Sequence, residues 1–263
     1  MKAMTSTHTE RRINALLRSL AVTLTVAFVL GGFSAPEANA STFTVEPTQI
    51  VFSGRTTSVL LTLRNESDEP LRFELSAFSW NQSPAGEMQL TATDDIIFFP
   101  ALLTLAPHES RRVRVGSATA FETREKSYRI FVEELPPSDR HSTGVRVLTK
   151  MGIPIFLRPA KEVASAALND VGQKNGKLSF VLSNAGTVHL LPSAIHVRGL
   201  AGSVTAFDSE LNGWYLLAGG RREFELGFPQ SDCASITSVM VDVQFEAESL
   251  QQGLQTPNGV CSR

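Results

Sequence analysis

Gly144-Val145-Arg146-Val147-Leu148-Thr149-Lys150-Met151-Gly152-Ile153-Pro154-Ile155-Phe156-Leu157 is the stretch on which the fold of this chain turns. It is rich in β-branched and aromatic residues, and its fourteen positions are more than twice the usual strand length. Strand alternation puts Val145, Val147, Thr149, Met151, Ile153 and Ile155 on one face. Two readings fit. The first half overhangs toward a sheet edge, where apolar side chains and unpaired backbone groups invite another strand, or the whole is one long core strand.

Working outward, the neighbouring segments are also strands. Phe43 to Phe52, Ser58 to Leu63, Leu71 to Trp80, Arg111 to Val115 and Ser127 to Leu135 share the same composition. Turn signals such as Ser83-Pro84-Ala85-Gly86 and Ala106-Pro107-His108-Glu109 punctuate them. A boundary falls at Arg158-Pro159-Ala160-Lys161, where the apolar run ends. Beyond it Lys177 to Ser183, Val188 to Val197, Val204 to Phe207, Trp214 to Leu217, Arg221 to Phe228 and Ser238 to Phe245 repeat the pattern. The only helix-leaning window, Lys161 to Leu168, is short and uncapped. The fold class is therefore all-β, with two sandwich domains in tandem at 41–160 and 161–263.

Residues 1–40 stand apart. Lys2, Arg11, Arg12 and Arg18 precede an apolar run from Leu20 to Leu30, and Ala38-Asn39-Ala40 supplies small residues for cleavage after Ala40. That pattern is a secretory signal peptide, too short in its apolar part to span a bilayer, so no membrane insertion is expected. The leader holds four basic and two acidic residues, and without it the net charge is −4. Such a surface lacks the basic footprint that nucleic-acid binding needs. Cys233 and Cys261, the two cysteines, suit one disulfide in an oxidising compartment.

Catalytic chemistry is not encoded in any recognisable pattern. His108, His141, His189 and His196 have no metal-ligand spacing and read as surface or turn residues. No nucleophile elbow, phosphate loop or zinc-protease motif occurs. Neighbouring members of Asp94-Asp95 and of Glu133-Glu134 point to opposite strand faces, which suits solvated edges better than acid–base pairs. The expectation is no enzyme, no cofactor and no metal. One residue is out of place: Arg129 shares a face with Phe131 and Leu135. A buried guanidinium needs a carboxylate, from Glu125, Glu133 or a ligand, unless it reaches water at the strand end.

Taken in order, several motifs resemble the PapD-like periplasmic chaperones of chaperone–usher pili. They are Phe43-Thr44-Val45-Glu46-Pro47, Leu63-Arg64-Asn65 with Pro70-Leu71 and Trp80, and Phe99-Pro100 with Leu105-Ala106-Pro107. Tyr128-Arg129 leading to Glu134-Leu135-Pro136-Pro137, and Pro154-Ile155-Phe156-Leu157-Arg158-Pro159, complete the set. The resemblance implies two immunoglobulin-like domains in an L-shaped arrangement. It also implies a periplasmic chaperone that lends a strand to pilin subunits and delivers them to an outer-membrane usher. The lent residues would be Val145, Val147 and Thr149, whose burial is worth on the order of 4 kcal/mol before ordering costs.

The best-known branch of that family anchors the pilin carboxylate with two basic residues, where this chain has Gln49 and Pro154. The sequence is more similar to the archaic, spore-coat-U-like branch, in which Arg129 becomes the expected anchor and Lys150 a second choice. Glu125 and Arg158 match members of an interdomain charge network, whose acidic third member has no evident counterpart here. A free chaperone could also pair its own edge strands as a homodimer. The competing expectation is a secreted Ig-like structural or adhesive fibre component.

Overall fold

The computed structural model describes residues 42–137, 146–174, 176–229, 233–246, 248–256 and 260. The signal segment, Val145 and Cys261 lie outside the described residues. Ten strands precede the boundary: β1 (Phe43–Glu46), β2 (Ile50–Phe52), β3 (Ser58–Asn65), β4 (Leu71–Gln82), β5 (Met88–Ala92), β6 (Ile96–Phe99), β7 (Leu102–Leu105), β8 (Ser110–Ser117), β9 (Lys126–Leu135) and β10 (Lys150–Leu157). Seven follow it: β11 (Ala166–Lys174), β12 (Lys177–Asn184), β13 (Ala194–Ala201), β14 (Val204–Leu211), β15 (Arg221–Gly227), β16 (Ser238–Gln244) and β17 (Ser249–Gln255).

In the first group, one sheet runs β1-β3-β8-β6 and the other β2-β10-β9-β4-β5, with β7 also on β4. Their inner faces meet in a core that includes Phe52, Leu61, Leu63, Phe73, Val113, Ile130, Ile153 and Ile155. The second group forms β11-β12-β15 and β14-β13-β16-β17 around Leu178, Phe180, Ile195, Val197, Val239 and Val241. Both are antiparallel sandwiches apart from β2, which lies parallel to the end of β10. Each has a buried asparagine tying its loops. The Asn65 amide donates to Glu69 O at 2.7 Å and Ala106 O at 3.0 Å, and the Asn184 amide to Val188 O at 2.8 Å and Leu216 O at 3.0 Å.

Several expectations need correction. The long strand begins at Lys150, not Gly144. Its ladder runs antiparallel to β9 from Lys150↔Glu133 to Leu157↔Lys126, so Thr149 faces Glu134 and the next positions run toward Pro136-Pro137. Prolines offer no N–H, and the ladder stops. Pro47-Thr48-Gln49 divides the first strand, sending β1 and β2 to different sheets. Residues 161–165 form no helix, and Ala166 opens β11, an edge strand bonded to β12. Trp214 to Leu217 and residues 188–193 lie outside the strands, apart from a Leu190–Leu216 bridge. Glu134 is buried, not solvated.

Candidate functional site

The strands β4, β9 and β10 decide what a ligand could meet. Their core-facing residues Leu75, Ala77, Tyr128, Ile130, Val132, Ile153 and Ile155 alternate with outward ones. On the outward face, register places Phe78 beside Arg129 and Arg129 beside Pro154. Phe131 and Gly152 pair one step along, and Ser127 pairs with Phe156. That face is aromatic where a solvated sheet would be polar. Phe78 and Phe131 meet edge to face at 5.7 Å.

Arg129 is only 8% exposed, and its guanidinium lies 4.2 Å over the Trp80 ring and 5.6 Å from that of Trp214. Neither carboxylate suggested by the sequence reaches it. Glu133 instead pairs with Lys150 at 2.7 Å, and Glu125 turns to His189. Its Nε is buried without a hydrogen-bond partner among the described residues. Burial pulls the Arg129 pKa below its ordinary value, with Tyr215 acting in the opposite sense. The result is a desolvated cation held by indole faces, with its hydrogen-bonding capacity unspent. Gly152 gives it room: a Cβ there would come within 2.8 Å of Phe131 and 3.3 Å of Arg129 Nη1.

The edge of β10 is open beside this cation. β2 covers it only from Ile155 to Leu157. Glu134 N donates to Thr149 O at 2.9 Å, so the odd positions of β10 turn their backbone groups to β9. The even ones, Lys150, Gly152 and Pro154, turn theirs outward. Arg158, next in that series, donates its N–H to Phe52 O on β2 at 2.9 Å. No strand takes up the outward groups of Lys150 and Gly152 among the described residues. Thr149 is half-buried, and its N–H also reaches Glu134 Oε2 at 3.3 Å; Val147 is 51% exposed. Lys150 is exposed and lies 5.1 Å from the Phe131 ring. Gln49 is exposed and Pro154 buried, and neither carries charge.

Glu125 and Arg158 come together in the structure, at 3.9 Å between Oε2 and Nε. The sequence missed their main companion. His189, expected at the surface, is largely buried. Its Nδ1 lies 2.7 Å from Glu125 Oε1, which also accepts the His189 backbone N–H at 3.0 Å. The ring stacks on Phe156 at 3.7 Å. Trp80, Phe156 and Leu217, with Tyr215 against them, form a third apolar cluster joining the two sandwiches. Gln82 adds a polar clamp, donating to Tyr215 O at 2.6 Å and accepting from Leu217 N at 3.0 Å. Trp214 was likewise missed, because 85 residues of sequence separate it from Arg129. Cys233 is buried and disulfide-bonded. Among the described residues no group of three His, Cys, Asp or Glu could hold a metal ion, and no helix is long and apolar enough to cross a membrane.

Residues 42–162 match the PapD N-terminal domain family of pili and flagellar-assembly chaperones. The match spans the whole first sandwich, including Arg129 and the open edge of β10. No curated protein sequence matches the chain. Similar solved structures extend the PapD-like fold to the second sandwich. A chain of the CsuC–CsuE chaperone–tip adhesion subunit complex from the archaic Csu pili of Acinetobacter baumannii superimposes with a TM-score of 0.55 at 17% identity, covering 81% of this chain and 97% of that one. The class 5 fimbriae chaperone CfaA gives 0.55 at 15%, covering 80% and 98%. The SafA pilin–SafB chaperone complex of Salmonella enterica gives 0.51 at 14%, covering 82% and 100%. At these identities the likeness is one of fold.

Proposed function

We propose that this protein is a periplasmic, ATP-independent chaperone that holds pilin subunits by donor-strand complementation and delivers them to an outer-membrane usher. One observation carries the reading: an uncovered stretch of β10 lies beside a buried arginine that no carboxylate among the described residues reaches. The open backbone groups of Lys150 and Gly152 suit an incoming strand. The Arg129 guanidinium suits the carboxylate that ends a polypeptide, which would set the register of that strand. Val145, Val147 and Thr149 would fill the client's groove, with Lys150, already paired to Glu133, in a lesser part. The CsuC–CsuE and SafA–SafB structures are of chaperones bound to a tip adhesion subunit and to a pilin. The Csu system is archaic, in keeping with assignment to that branch.

In this proposal the chain divides at 160/161, and Glu125 and Arg158, joined by His189, fix the angle between the domains. Export would remove residues 1–40, and Cys233 and Cys261 would close the disulfide. The test is co-export with a pilin subunit. A soluble one-to-one complex and a surviving subunit are expected; a polymer on gel filtration supports a fibre component instead, and equal subunit survival without the protein rejects chaperoning.

A further inference from the structure

We propose that the pocket lined by Gly86, Met88, Asn212, Gly213, Trp214 and Arg222 is a second anion subsite, which takes an acidic side chain of the client held at Arg129. The inference rests on the chaperone reading above and adds a specificity to it. Arg222, in β15, has Nε and Nη1 buried with no hydrogen-bond partner among the described residues. The nearby carboxylate of Glu223 goes to Arg221 at 3.4 Å. Arg129 and Arg222 thus both have buried guanidinium nitrogens without a partner among the described residues, in a molecule whose mature chain is net acidic.

The pocket is built by contacts that leave Arg222 little freedom. The tip of the β4–β5 turn docks on β15, with Glu223 N donating to Pro84 O at 2.8 Å. Gly86 sits at φ +83°, and a Cβ there would fall 2.5 Å from Arg222 Nε. Only glycine satisfies both the turn and the close approach. Phe224 lies under the guanidinium at 4.7 Å. Burial lowers the Arg222 pKa, as it does that of Arg129. Both ions would gain from an anion supplied in trans.

Trp214 connects the two sites. Its ring is 5.6 Å from the Arg129 guanidinium and also forms a wall of the Arg222 pocket. A client whose terminal carboxylate meets Arg129 therefore ends against Trp214, the wall that the two sites share. The volume, about 320 Å³, accommodates a side chain. Trp214 and Met88, each 41% exposed, offer apolar surface to its methylene stem. A guanidinium beside such walls selects aspartate or glutamate over a neutral side chain.

The test uses synthetic acetyl-Val-Ala-Glu-Ala-Phe, its Gln counterpart, and the C-terminal amides of both. Binding to the mature protein is followed by the fluorescence of Trp80 and Trp214, the only two tryptophans of the chain. The wild type is expected to bind the Glu peptide about tenfold more tightly than the Gln peptide, the size of one charge-assisted hydrogen bond. Arg222→Gln should abolish that ratio while keeping the preference for free acid over amide, and Arg222→Lys should restore part of it. Exposed Met88→Glu, placing a competing carboxylate at the rim, should abolish the ratio without touching Arg222. No Glu-over-Gln preference in the wild type, whether the peptides bind alike or not at all, overturns the subsite. So does a ratio that survives both Arg222→Gln and Met88→Glu, or acetate alone reproducing the response at equal carboxylate concentration. Loss of the acid-over-amide preference in the wild type would instead count against Arg129 as the anchor.

Discussion

Replacing Arg129 by methionine separates stability from client capture. The guanidinium is almost wholly buried, has no carboxylate among the described residues, and lies on Trp80 at 4.2 Å. A desolvated cation–π contact is worth about 2 kcal/mol, against a desolvation penalty of several kcal/mol for an ion left without a counter-charge. Methionine keeps much of the stem volume, and its sulfur recovers about 0.3–1.5 kcal/mol on aromatic rings. Arg129→Met should therefore be neutral or stabilising by about 1–2 kcal/mol. In a chain of this size that corresponds to a Tm unchanged or raised by roughly 2–8 °C. Client capture should move the other way. A hydrogen bond to a charged group contributes about 1.5–3 kcal/mol, so affinity for a pilin with a free C-terminus should fall roughly 10- to 150-fold. Circular dichroism melting and gel-filtration titration of co-exported complexes read the two effects independently. A Tm lowered by several degrees would mean that Arg129 is a structural element after all, and undiminished capture would remove it from the site.

Three further outcomes are expected. Lys150→Pro removes an outward N–H from the open edge of β10 without breaking the β9 ladder, so capture should drop at least tenfold with the Tm nearly constant; Lys150→Ala, which keeps the N–H and loses only the lesser contribution of the charge, should weaken capture far less, and equal defects in both would implicate the charge instead. Glu125→Ala leaves His189 and Arg158 facing a void where a fully buried carboxylate stood, at a cost of about 3–5 kcal/mol by urea unfolding; a loss below about 1 kcal/mol would contradict its role at the junction. Glu109 is held below its ordinary value of 4.5, first by the Ala106 N–H and then by Arg111. Its contribution is present above pH 4.5 and lost as pH falls through the lower folded value, so Glu109→Gln should flatten the decline of the urea midpoint between pH 5 and pH 3. An unchanged slope in that variant would rule this carboxyl out as a source of acid sensitivity.

Much of the architecture is written in local order. Period-two alternation and turn residues foretell most of the longer strands, because a strand buried on one face must alternate whatever its partner. The short strands β5, β6 and β7 escape that reading, since a few residues such as Leu102–Leu105 give too few periods to register. β11 escapes for another reason: its Ala-rich opening leans toward helix by propensity, and pairing with β12 overrides it. β10 is shorter than its composition suggests, because strand-like composition continues smoothly back to Gly144, whereas the ladder depends on the strand opposite, which runs into Pro136-Pro137.

From the sequence alone came the all-β class and the oddity of Arg129, since each depends on residue type and alternation. Tertiary structure alone decided that Arg129 rests on indole rings instead of a carboxylate, that His189 is buried at the junction, and that Trp214 stands between two arginines that no carboxylate among the described residues pairs. Two of those contacts, Arg129 with Trp214 and Glu125 with His189, join residues from separate sandwiches. No periodicity encodes them, because a strand's alternation specifies which face a side chain takes but not what the other domain brings to meet it.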